Sequence, residues 1–99
     1  MIKHIVIWKL RAEDASARAA STSAIKEALE PLATVIAGIR SLTVHGNAAF
    51  PDTNWDVVLL SEFDSVEALE AYQVHPEHVR AAAVVREHVT ERASVDVEA

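Results

Sequence analysis

The chain has 99 residues, 51% hydrophobic and 24% charged, which suits one globular domain over residues 1–99 with a modest core. It contains no cysteine, which excludes a disulfide framework, a thiolate nucleophile and a thiolate metal site. A formal net charge of −6 without a basic, aromatic-interleaved patch argues against nucleic-acid binding, and no apolar run reaches membrane-spanning length. With no signal-like apolar segment near Met1, a cytoplasmic protein with neither nucleic acid nor membrane as partner is expected.

Ile2 to Leu10 is rich in β-branched residues and reads as a strand covered on both faces, with His4, Val6, Trp8 and Leu10 on one side and Lys3, Ile5, Ile7 and Lys9 on the other. Arg11 to Ser16 is a polar connection, and Ile25, Leu29, Leu32 and Ile36 then recur at helical spacing up to Gly38, a natural C-terminal cap. Pro31 interrupts that helix and predicts a kink or two pieces, while the Ala-Ser-Thr run from Ala15 to Ala24 is expected to fray. Ile39 to Val44 is a second strand. Gly46-Asn47 and Pro51-Asp52-Thr53-Asn54 mark a long hairpin connection to a third, Trp55 to Phe63. A helix opens next, with Asp64 as expected N-cap and Glu67 completing a capping box.

Pro76 cannot continue that helix but suits the first position of another, so Tyr72-Gln73-Val74-His75-Pro76-Glu77-His78 sets a phenol and two imidazoles around a helix break. On the second helix His78, Ala82, Val85 and Val89 share a row, opposite the charged row of Arg80, Glu87 and Glu91. His88, within Arg86-Glu87-His88, is expected to face solvent. Ala93 to Glu98 closes the chain as a strand, with Val95 and Val97 on one side and Asp96 on the other.

Strand, helix, strand, strand, broken helix, strand is the order of an α+β, ferredoxin-like domain: one four-stranded antiparallel sheet with helices on one face. The other face would then expose Ile, Val, Leu or Trp side chains to water. At roughly 25 cal/mol per Å², several hundred Å² of apolar surface is worth on the order of 10 kcal/mol, and a homodimer joined sheet to sheet would recover it.

The chemistry-bearing candidates cluster around the helix break. His78, in the first turn of a helix and on its apolar row, feels desolvation and the positive end of the helix dipole, and both favour a neutral imidazole able to accept a proton. Two readings stand open. His78 could remove a proton next to a carbonyl while Tyr72 hydrogen-bonds the developing enolate oxygen, or both could be core residues with satisfied polar atoms in a non-catalytic dimer. His4, on the strand face of Val6 and Trp8, could reach a ligand or be structural; Asp96 or His75 could orient an imidazole. A metal held by His75, His78 and His4 or Asp96 is a third possibility, weakened because Pro76 turns the two imidazoles apart. The favoured reading needs no metal and no cofactor.

Met1-Ile2-Lys3-His4-Ile5-Val6, Gly38-Ile39-Arg40-Ser41-Leu42, Glu62-Phe63-Asp64-Ser65 and above all Tyr72-x-x-His75-Pro76-x-His78, closed by Val95-Asp96-Val97-Glu98, resemble the stress-responsive dimeric α/β-barrel (Dabb) family from end to end. The resemblance implies a ferredoxin-like protomer whose sheet pairs with a second one as a dimeric α/β barrel. One plant member is a polyketide cyclase performing an aldol condensation with aromatisation. By that resemblance its catalytic tyrosine and histidine match Tyr72 and His78, its N-terminal strand histidine matches His4, and its closing-strand aspartate matches Asp96, which implies Tyr72 and His78 as catalytic and His4 and Asp96 as substrate-binding. His75 joins the expected substrate-binding set from its place at the helix break, and under the non-catalytic reading the resemblance implies a stress-linked dimer. Where that cyclase lines its pocket with aromatics, this chain has Ala24, Ile25, Ala28 and Leu29. Some other dimeric α/β-barrel families bind haem, for which His75 or His78 would be the axial candidate. The expected ligand is a small, largely apolar molecule between sheet and helices, with cyclase- or lyase-like proton transfer.

Overall fold

Side chains that alternate from one face to the other make the first strand two-faced, one side buried and the other mixing Ile5 and Ile7 with Lys3 and Lys9. In the computed structural model, which describes all 99 residues, Ile2, His4, Val6, Trp8 and Leu10 of β1 (Ile2–Leu10) are buried while Lys3 is exposed. The remaining elements are α1 (Ala15–Leu29), α2 (Leu32–Val35), β2 (Ile39–Gly46), β3 (Val57–Phe63), α3 (Val66–Val74), α4 (Pro76–His88) and β4 (Val89–Glu98). The strands form one antiparallel sheet in the order β2-β3-β1-β4, the ferredoxin-like arrangement expected from the element order.

Asp14 caps α1, its Oδ1 accepting from the Ala17 N–H at 2.7 Å, so the Ala-Ser-Thr run is regular helix rather than frayed chain. The break at Pro31 gives two pieces: Glu30 is the C-cap of α1, and α2 is a single turn. The Glu30 carboxylate ties the break to the sheet, accepting from the Val44 N–H at 2.9 Å and from Lys26 Nζ at 2.9 Å. Partial burial works against the charge, but these two contacts outweigh it and hold the carboxyl below its usual range. Gly38 then turns the chain into β2 with φ +91°, and a Cβ there would lie 2.8 Å from the Ala68 Cβ, so both backbone and packing require glycine.

Three boundaries depart from expectation. The N-cap of α3 is Ser65, whose Oγ accepts from the Ala68 N–H at 3.1 Å, whereas Asp64 takes Arg40 Nε at 2.6 Å across the neighbouring strand. The third strand begins at Val57, because Asp56 turns its carboxylate to the Leu10 N–H at 2.8 Å. The closing strand begins at Val89, four residues earlier than its alternation suggests, since Arg92 and Glu91 continue the ladder opposite Trp8 and Lys9, and a register shift between Lys9 and Leu10 then carries the pairing on to Val89.

The core lies between the helices and one sheet face, around Ile25, Leu29, Leu42, Leu59, Phe63 and Val85. The opposite face carries no helix. Ile5 stands beside both Leu60 and Val95 there, and Leu60 is 44% and Val95 55% exposed, so the apolar second face expected from the sequence is uncovered in the single chain.

Candidate functional site

A cleft of about 590 Å³ opens between β1, β4 and α4, within the size range of small-molecule sites. His4, Tyr72 and His78 line it together, along with Ala82, Val85 and Val89, the row that the sequence placed with His78.

Tyr72 is 1% exposed, near the end of α3, with its ring 4.9 Å from Phe63 and 4.3 Å from His78 between centroids. No buried side-chain nitrogen or oxygen is left without a partner, and the Tyr72 hydroxyl has none within the chain, so its oxygen meets the cleft rather than the packed interior. Burial pushes this phenol up to about 12, against the pull of the Arg92 guanidinium, which keeps it a proton donor across the physiological range.

His78 is the third residue of α4, behind Pro76 and Glu77. Its Nδ1 stands 3.1 Å from the Gln73 carbonyl, which can only accept, so Nδ1 carries the hydrogen and Nε2 keeps its lone pair. Burial lowers the imidazole below its usual value; the Gln73 carbonyl opposes this, while His4, Arg92 and Arg86 reinforce it. The ring is therefore a neutral base at neutral pH.

His4 is 3% exposed on β1, and its Nδ1 lies 2.5 Å from Asp96 Oδ1 on the paired residue of β4. The carboxylate accepts, which fixes the donor nitrogen as Nδ1 and leaves Nε2 for the cleft. This is the orienting arrangement that steers an imidazole in acid–base sites. Ser61 anchors the same strand by donating to the His4 carbonyl at 2.7 Å. Asp96 thus acts through His4 and does not itself line the cleft.

His75 sits elsewhere. Its Nδ1 accepts from the Glu77 N–H at 3.1 Å and caps α4, and unlike His4 and His78 it is not among the side chains that line the cleft. Pro76 is the physical reason: it holds His75 extended, with its side chain folded over the following turn. His88 is corrected, being half-buried with Nδ1 3.1 Å from the Ser21 hydroxyl rather than free in solvent. No three His, Asp or Glu side chains converge closely enough to hold a metal ion.

Arg92 was missed by the sequence reading. Started at Val89, the alternation of β4 sets Arg92, Ser94 and Asp96 on one row opposite Trp8, Val6 and His4, and that row was the signal available.

The fold and its cleft define a ferredoxin-like α+β domain in which a Tyr72–His78 pair and the Asp96-bound His4 line one open cleft. The chain belongs to the Stress Responsive A/B Barrel Domain family, which it matches over residues 2–99. Its structure is similar to a dimeric ferredoxin-like protein of unknown function from Bacteroides fragilis, at 38% identity and TM-score 0.86 over 98% of this chain and 94% of that one. A dimeric ferredoxin-like protein from Thermobifida fusca is 21% identical, with TM-score 0.76 over 97% of this chain and 88% of that one. A hydroxynitrile lyase from Passiflora edulis shares the fold at 11% identity, with TM-score 0.78 over 97% of this chain and 90% of that one. Among curated proteins, none matches this sequence. No helix is long and apolar enough to cross a membrane.

Proposed function

We propose that the protein is a homodimer, joined through its helix-free sheet face, in which each protomer holds a small, largely apolar carbonyl compound in the cleft and catalyses cofactor-free proton transfer on it. The observation that carries this is the tautomer and setting of His78: Nδ1 is tied to the Gln73 carbonyl, burial keeps the ring neutral, and a protonated Tyr72 phenol stands beside it. In the proposed step His78 Nε2 takes a proton from the carbon next to the carbonyl. The C–H electron pair moves into the carbon framework, and the carbonyl oxygen becomes an enolate held by the Tyr72 O–H. His4, oriented by Asp96, faces the same space and returns or relays a proton when the enolate attacks a second carbonyl or expels a leaving group. Aldol-type cyclisation begins with this step, whereas a hydroxynitrile lyase with the same fold needs a base for a hydroxyl proton, so it bears on the His78 base by analogy alone. The dimer is supported by the exposed Leu60–Ile5–Val95 stripe and by the dimeric description of the similar structures.

A non-catalytic dimer is the second reading, favoured by the packing of Tyr72 between Phe63 and His78, which a purely structural polar network would also use. Incubation with methyl hexyl ketone in deuterated buffer separates them. The enzyme reading expects shifts of cleft resonances and deuterium appearing next to the carbonyl faster than in buffer; binding without exchange, or no binding, overturns it. Light scattering tests the dimer, and a monomer of 10.8 kDa would refute it.

A further inference from the structure

Three arginines, Arg11, Arg86 and Arg92, line the cleft that Tyr72 and His4 also line. They come from the segments around the junction of α4 and β4. The Arg11 N–H donates to the His88 carbonyl at 2.9 Å, Arg86 is in the last turn of α4, and Arg92 stands opposite Trp8. None of the three is ion-paired, whereas Arg40 is held by Asp64 and Arg80 by Glu77.

The one carboxylate along the cleft is drawn out of it. Glu91 precedes Arg92 on β4, so it shares the outward row with Lys9, and the two pair at 3.2 Å. Asp96 is held by His4. Trp8, Leu29, Leu59 and Val85 supply an apolar wall, with Gln73, Thr90 and the two histidines as the remaining polar lining. Guanidinium groups without a carboxylate partner, Arg92 donating only to the Ser94 hydroxyl at 3.3 Å, concentrate positive potential at one place on a chain of net charge −6. That potential reaches the reacting end, because Arg86 and Arg92 both disfavour the His78 imidazolium.

We propose that the cleft selects an amphipathic carboxylic acid, its carboxylate held by Arg86 and Arg92 and its apolar chain laid over Trp8, Leu29 and Val85 toward Tyr72. A carboxylate fits better than a phosphate. Neither glycine lines the cleft, and the N-terminus of α4 is already capped by His75, so the backbone N–H cradle that phosphates use is missing. The planar fork of arginine matches a carboxylate without such help.

This inference rests on the apolar-ligand reading of the same cleft, and the test separates their failures. Octanoate, octanamide and octylammonium share a chain and differ in head charge, and their affinities near neutral pH are read by NMR titration. The charge-assisted contacts should favour octanoate over octanamide by about tenfold or more and leave octylammonium the weakest. Arg86→Gln with Arg92→Gln should abolish that order while octanamide still binds, and Arg86→Lys with Arg92→Lys should restore part of it. Equal affinity for octanoate and octanamide overturns the acid preference and leaves the apolar cleft standing. Binding by neither overturns both, and an order unchanged in the glutamine pair shows that the charge is sensed elsewhere and also refutes the proposal.

Discussion

Truncating His78 separates a base from a structural imidazole, and the structure sets the size of each effect. His78→Ala removes one hydrogen bond, to the Gln73 carbonyl at 3.1 Å, and one ring contact, to Tyr72 at 4.3 Å. The carbonyl borders an open cleft and can be rehydrated, so the lost bond costs about 0.5–1.5 kcal/mol. The ring pair adds about 0.5–1.5 kcal/mol. A loss of about 1–3 kcal/mol lowers the melting temperature of a domain this size by about 5–20 °C, which leaves the variant folded at assay temperature. Exchange of deuterium into methyl hexyl ketone should meanwhile fall by about 100- to 10,000-fold, the usual contribution of a positioned base. In the wild type the exchange rate should rise with pH through a midpoint below 6.5, because burial lowers the His78 pKa from that value. Stability follows the same group. As pH falls from 6.5 toward the folded-state pKa, the unfolded chain takes up a proton that the folded one refuses, so the wild type loses stability there and His78→Ala loses less. A folded His78→Ala protein with wild-type exchange, or an exchange midpoint at or above 6.5, would refute the assignment.

Tyr72→Phe removes only a hydroxyl without a partner in the chain, so urea denaturation should find stability within about 0.5 kcal/mol of wild type while ketone exchange drops. If stability falls strongly instead, the hydroxyl has a structural role. Leu60→Asp sets a charge in the exposed stripe beside Ile5, and sedimentation should then report monomers, since an unpaired charge in an apolar interface costs several kcal/mol; an intact dimer would place the interface elsewhere. Gly38→Ala forces a Cβ within 2.8 Å of the Ala68 Cβ at φ +91°, and should destabilise the fold by about 1–3 kcal/mol in the same denaturation assay.

Local patterns in the chain were sufficient for the element order, the His78–Ala82–Val85–Val89 row, the break at Pro31 and the two-faced first strand, because side-chain period and proline chemistry act within a few residues. They were sufficient as well for Tyr72, His78 and His4 as cleft residues, since each lies on the apolar side of its own element. Partner choice needed the tertiary structure. Asp64 and Ser65 are both competent caps, and Arg40 on β2 takes Asp64 away. His75 and His78 both flank Pro76, and only the path of the backbone decides that one caps a helix while the other meets the cleft. The reach of β4 to Val89, and with it Arg92 on the row of His4 and Asp96, depends on hydrogen bonds to β1, some eighty residues earlier in the chain, whose register no local pattern encodes.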